Sequence, residues 1–122
     1  MKYLSILLVS LLVSPAVTAI DTSGNYAVWG VGKKACFHYN KARASNNDVA
    51  YTSYIKGFLT AFNITEPETY NISGTMKFQE ILDWIDDSCE LKQVHSLEQT
   101  LLEFIEAHYE SRSQRSRSRS SW

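Results

Sequence analysis

Apolar residues return every three or four positions along most of the chain, the spacing that lines one face of an α-helix. The strongest stripe is Tyr51, Tyr54 or Ile55, Phe58 or Leu59, and Phe62, which predicts a helix over about 48–63. A second stripe, Phe78, Ile81, Leu82, Ile85 and Cys89, predicts a helix over 76–89. Its opposite side carries Glu80, Asp83, Asp86 and Asp87. A third stripe, Leu97, Leu101, Phe104, Ile105 and His108, follows Ser96, with Gln99 three residues on, a capping box. Glu98, Glu103, Glu106 and Glu110 are expected along the rest of that helix. A shorter stripe of Ala35, Cys36, Tyr39 and Ala42 or Arg43 predicts a first helix over 33–44. No run of alternating β-branched residues competes, so the fold class expected is all-α, a small four-helix domain.

Between the stripes lie the signals that stop helices. Residues 21–32 hold two interior glycines before Gly32 and read as an irregular lead-in. Asn46, Asn47 and Asp48 form a break and supply N-cap side chains for the second helix. Glu66-Pro67 stops that helix, because proline lacks the amide donor and disfavours helical geometry in the residue before it. Residues 64–75 then form a loop of about a dozen residues, long enough in so small a domain to be expected functional or mobile. Gly57 falls inside the second helix, where it marks either close approach of a neighbouring helix or a tolerated weak point. Asn63-Ile64-Thr65 and Asn71-Ile72-Ser73 match the N-glycosylation acceptor pattern.

The N-terminus obeys a different pattern. Lys2 precedes an apolar run from Leu4 to Val13, Pro15 breaks it, and Val17 and Ala19 stand at the −3 and −1 positions of a cleavage site. This predicts a secretory signal peptide over residues 1–19, with a run too short for the ~20 residues that span a bilayer. Export to the periplasm or the exterior is therefore expected. The net charge of −1 over 122 residues conceals an asymmetry. Residues 20–110 hold seven basic and thirteen acidic residues, a net of −6, whereas 111–122 hold four arginines and no acid. The expected organisation is a helical domain over 20–110 and a disordered Arg/Ser-rich tail over 111–122, too polar to bury a core. Arg112, Arg115, Arg117 and Arg119 are its candidates for weak contact with anionic membranes, and Trp122 favours an interfacial role. An exported chain makes nucleic acid an unexpected partner.

Export also decides how the cysteines read. Cys36 and Cys89 are the only two, and in an oxidising compartment the default is a disulfide closing a long loop. The rival, a reactive or metal-binding pair, has no CxxC spacing behind it and only His38 as a nearby ligand type. Asp83, Asp86, Asp87 and Glu90 lack the alternating ligands and glycine turn of a divalent-cation loop, so they read as a solvated helix face. His38, His95 and His108 have no zinc-triad spacing, and no nucleophile motif is present. No metal, cofactor or catalytic residue is expected, and the chain reads as non-enzymatic.

Trp29 shortly before Cys36, the aromatic-glycine helix Tyr51-Thr52-Ser53-Tyr54-Ile55-Lys56-Gly57-Phe58, and Trp84-Ile85-Asp86-Asp87-Ser88-Cys89 together resemble the small exported proteins related to HdeA-type acid-stress chaperones. They also resemble the Tai-type immunity proteins that neutralise type VI secretion effectors in the periplasm. The resemblance covers roughly Trp29 to Tyr109 and implies an exported protein acting by protein–protein contact. As a chaperone, the chain would sense acid through Asp83, Asp86, Asp87 and Glu103 and hold clients on apolar surface around Phe58, Phe62 and Phe78. As an immunity or other interaction protein, it would dock one exported partner through its acidic body or the 64–75 loop.

Overall fold

The computed structural model describes residues 20–116 and shows an all-α fold of four helices. A 3₁₀ turn at Gly30–Lys33 precedes α1 (Cys36–Ala44), α2 (Val49–Thr65), α3 (Phe78–Leu91) and α4 (Leu97–His108), and a second 3₁₀ turn, Tyr109–Ser111, follows. The four predicted helices are all present, with ends displaced by up to three residues. The largest displacement is at α1, because 30–33 winds as its own tight turn and Ala35 is extended. The expected signal peptide lies outside the described residues. Among them, no helix is long and apolar enough to cross a membrane.

The core forms where three helices meet. α1 packs on α3 and α3 on α4, burying Tyr39, Ile81, Leu82, Ile85, Leu97, Leu101 and Phe104, while α2 adds Ile55 and Leu59. The disulfide joins Cys36 to Cys89 across the α1–α3 contact, with a Cα–Cα distance of 4.9 Å, and both residues are fully buried. Thr100 of α4 reaches into the same place. Its hydroxyl donates to the Ser96 carbonyl at 3.1 Å and lies 3.3 Å from Cys36 Sγ, so a buried polar group is satisfied beside the bridge.

Around the bridge the helix starts cap one another. The first amides of a helix have no partner within it, and α1 has no side-chain cap. Instead Cys36 N donates to the His95 carbonyl at 2.7 Å and Phe37 N to the Gln93 carbonyl at 3.0 Å. In return Leu97 N, the first of α4, donates to the Lys34 carbonyl at 2.9 Å. α4 also has the predicted capping box, with Gln99 N donating to Ser96 Oγ and Ser96 N to Gln99 Oε1.

Asp48 stands at the start of α2 without capping it. Its carboxylate accepts from Arg43 Nη1 at 2.9 Å, because the guanidinium offers a charged partner from the preceding helix. The same guanidinium grips Asp86 of α3 through Nε (3.0 Å) and Nη2 (2.8 Å), and Tyr39 Oη donates to Asp86 Oδ1 at 2.6 Å. α1 is thereby held to α3 by a covalent bond at one end and a forked ion pair at the other.

The 64–75 segment, expected to be functional or mobile, is tied to the core by its own polar side chains and by one buried apolar residue. Ile72 is fully buried, Ile72 N donates to Asn63 Oδ1 at 2.8 Å, and Asn71 Oδ1 accepts from Ser73 N and Oγ. The beginning of the expected disordered tail is folded onto it. Ser113 and Asn71 exchange backbone hydrogen bonds of 2.9 and 3.1 Å, so ordered structure runs past residue 110. Gly74, at φ +63°, is required there, since a Cβ would press on the Ser111 carbonyl. Gly57 has open space around it and is exposed, which removes the close-approach reading. The glycine that permits close approach is Gly32, where a Cβ would run into the Tyr54 ring.

Cys36→Ala/Cys89→Ala is expected to fold less stably by roughly 4 kcal/mol, the chain-entropy value for a loop of this length. Urea unfolding followed by circular dichroism checks it, and a loss below about 1 kcal/mol would mean that packing alone defines the α1–α3 contact.

Candidate functional site

Residues 20–29 form an arm that, with α2 and α4, encloses an open groove. Asp21 shapes the arm through its Oδ1, which accepts from Ser23 N and Asn25 N, both at 2.8 Å. The groove has a volume of about 600 Å³ and is lined by Ile20 and Tyr26 to Trp29 of the arm, Tyr54 and Phe58 of α2, and Glu98 and Leu102 of α4. That volume lies in the range of ligand-binding clefts, and the walls are mostly aromatic and aliphatic. Trp29, 82% exposed, and Tyr26, 52% exposed, stand at its rim. Exposed aromatics beside an apolar cleft are the composition of contact hot spots. Gly32 makes the wall possible by leaving the space that Tyr54 fills.

Glu98 is the one charged side chain in the lining. It is 5% exposed, and Tyr26 Oη donates to its Oε1 at 2.7 Å, tying the arm to α4. The bond to this carboxylate holds the Tyr26 phenol above its usual pKa, so Tyr26 stays a donor. Glu98 lies in the first turn of α4, where the helix dipole favours negative charge. Its other oxygen makes no hydrogen bond among the described residues.

The carboxylates singled out as acid sensors do not cluster. Asp83 and Asp87 are exposed on α3, and among the described residues Asp83 accepts only from Gln79 of its own helix. Asp86 is the anchor of Arg43 and Tyr39. Glu103 of α4 accepts from Lys92 Nζ at 2.9 Å and lies 3.2 Å from His95 Nδ1. The Lys92 hydrogen bond holds the Glu103 carboxyl below the usual range, with the charges of Lys92 and His95 adding to it. Among the described residues, no three His, Cys, Asp or Glu side chains gather where an ion would sit. Of the candidate contact residues, Phe58 lines the groove; Phe62 and Phe78 do not, and Phe78 lies under Lys56 Nζ at 4.6 Å.

The described tail arginines differ in role. Arg112 stacks on Tyr109, 4.0 Å from the ring centre, and donates to Thr69 Oγ1 and the Tyr109 carbonyl, so it is a structural clasp. Arg115 is exposed beside Tyr70, and Arg117 and Arg119 lie outside the described residues. Asn71 Nδ2, the acceptor atom of the second glycosylation pattern, donates to the Gly74 carbonyl at 3.1 Å.

The sequence reading missed Glu98, Tyr26 and Leu102 as a unit. Glu98, expected outside the apolar stripe of α4, is buried because the arm covers it. A signal did exist. Leu102 interrupts the polar side of α4 four residues after Glu98, which puts an apolar group and a carboxylate on one face.

In comparisons with family models, curated proteins and solved structures, nothing matches the chain. The functional reading therefore rests on the groove itself.

Glu103 supplies a test of the acid response. A carboxylate whose pKa is lowered by folding stabilises the native state above its unfolded value and loses that contribution as pH falls through the folded value. Glu103→Gln is expected to lower stability by less than about 1 kcal/mol at neutral pH, as for a partly exposed pair. The variant and native curves should converge as pH falls below the ordinary value of 4.5. Urea midpoints across a pH series read this directly.

Proposed function

We propose that this chain is an exported, non-enzymatic binding protein that acts by protein–protein contact through the groove between the 20–29 arm, α2 and α4. The observation that carries this is an open cleft of about 600 Å³ with apolar walls and two exposed aromatics at its rim. An exposed apolar surface of this kind disfavours the solvated state unless something covers it. The buried disulfide and the layout of the first nineteen residues support export. The dedicated-partner form of this reading, an immunity-type protein, fits a cleft whose arm is tied to α4 by the Tyr26–Glu98 bond.

Placing a photo-crosslinking phenylalanine analogue at Leu102 of the full chain tests it in the cells that make the protein. A discrete protein adduct is expected from position 102 and none from Thr60, an exposed position on α2. Equal labelling from both positions, or none from either, would overturn the groove reading.

A second reading, an acid-activated chaperone, is favoured by one observation. Asp86 and Glu103 hold Arg43 and Lys92, so protonating them removes ties between α1 and α3 and between α4 and the α3–α4 connection. Phe58, Phe62 and Phe78, already half-buried, would then loosen while the disulfide keeps the chain together. The native protein should suppress aggregation of an acid-labile client in acid and not at neutral pH. Light scattering measures this, and no suppression at either pH removes the chaperone reading.

A further inference from the structure

We infer that the groove takes a segment of a partner protein in which a lysine or arginine lies next to apolar residues, with the cation seated on Glu98. The inference rests on the groove being the contact surface and adds what that surface recognises. Three observations carry it. The walls from Tyr54, Phe58, Leu102 and Trp29 suit apolar side chains and the methylene stem of a basic one. The single charged side chain in the lining is a carboxylate, 5% exposed, with one hydrogen bond from Tyr26 and its second oxygen free of partners among the described residues. An ionised carboxylate accepts several hydrogen bonds, so Glu98 retains capacity for a guanidinium or ammonium. The described body around the groove, residues 20–116, holds nine basic and thirteen acidic residues, a net of −4, which attracts a basic partner and repels an acidic one.

The carboxylate cannot be dismissed as surface decoration. Its second oxygen is not sealed from solvent, so a cation arriving with the ligand can reach it and pair with it inside an apolar site, where a charge pair is stronger than in open water. Because the site is apolar and sheltered, the pair would be screened less by salt than an exposed one.

Three peptides test this against the full mature chain: acetyl-Leu-Arg-Phe-Leu-amide and its counterparts with Gln or Glu in place of Arg. Binding is followed by calorimetry, with amide NMR shifts locating the contact. The Arg peptide is expected to bind at least about tenfold tighter than the Gln peptide, the discrimination of one sheltered charge pair, and the Glu peptide weakest. In Glu98→Gln the Arg preference should vanish while the Gln peptide binds as before, which also shows that the groove is intact. Tyr26→Phe removes the tie between the arm and α4 but leaves the carboxylate in place, so it should weaken all three peptides together while the Arg-over-Gln ratio persists. Equal binding of Arg and Gln peptides in the native protein would overturn the inference while leaving an apolar contact groove. Failure of every peptide to shift the groove amides would overturn it too, and the crosslinking at position 102 then judges the groove reading separately. Self-association of the native chain that Glu98→Gln abolishes, with no peptide preference, would assign the groove to a second copy and equally overturn it.

Discussion

The junction around the Cys36–Cys89 bridge is the constraint on which the rest of the molecule depends. Four short stretches meet there: the start of α1, the end of α3, the connection at 92–96 and the first turn of α4. A covalent bond alone would leave the amides of α1 unpaired in a buried place, which is unfavourable by an amount comparable to a lost hydrogen bond for each. The carbonyls of Gln93 and His95 remove that penalty, and Lys34 returns the contact to α4. Thr100 fills the remaining space without leaving its hydroxyl unsatisfied. Fixing these four stretches together sets where α4 begins, and hence where Glu98 and Leu102 point.

The groove follows from that placement. α4 presents Glu98 and Leu102 on one side, α2 presents Tyr54 and Phe58, and the chain entering at the 30–33 turn crosses between them. Gly32 is where the crossing is tightest, so the arm and Tyr54 occupy their positions because a side chain is missing. The Tyr26–Glu98 bond then holds the arm at a distance that leaves the cleft open. Its apolar walls, exposed aromatics and single sheltered carboxylate are consistent with recognition by contact, and the acidic body around it gives that recognition a sign.

The far end of the molecule is built on a different principle. There the ties are polar and local to two loops: Asn63 and Asn71 organise the 64–75 segment, Ile72 plugs the core, and Ser113 closes over it. Both asparagines belong to patterns that read as glycosylation acceptors, yet their side chains carry the loop's hydrogen bonds. Arg112 likewise read as part of a solvated basic tail, and its guanidinium instead joins Tyr109 to Thr69. For Asn63 and Arg112 the side chain was legible as a type and not as a partner choice, because the partner is 9 and 43 residues away.

The helices and the disulfide were legible because their causes are local. A 3.6-residue apolar period, a proline after Glu66, a serine–glutamine capping box and a single pair of cysteines each act within a few residues or leave one pairing. The burial of Ile72, the conversion of Asp86 from surface carboxylate to anchor, and the docking of Ser113 needed contacts between distant segments. The sequence by itself determined an all-α domain with a covalent tie between its first and third helices, since periodicity and cysteine chemistry do not depend on the route of the chain. Only the tertiary structure decided that the lead-in becomes an arm over α4, because whether Glu98 meets water or Tyr26 depends on where residues 20–29 lie.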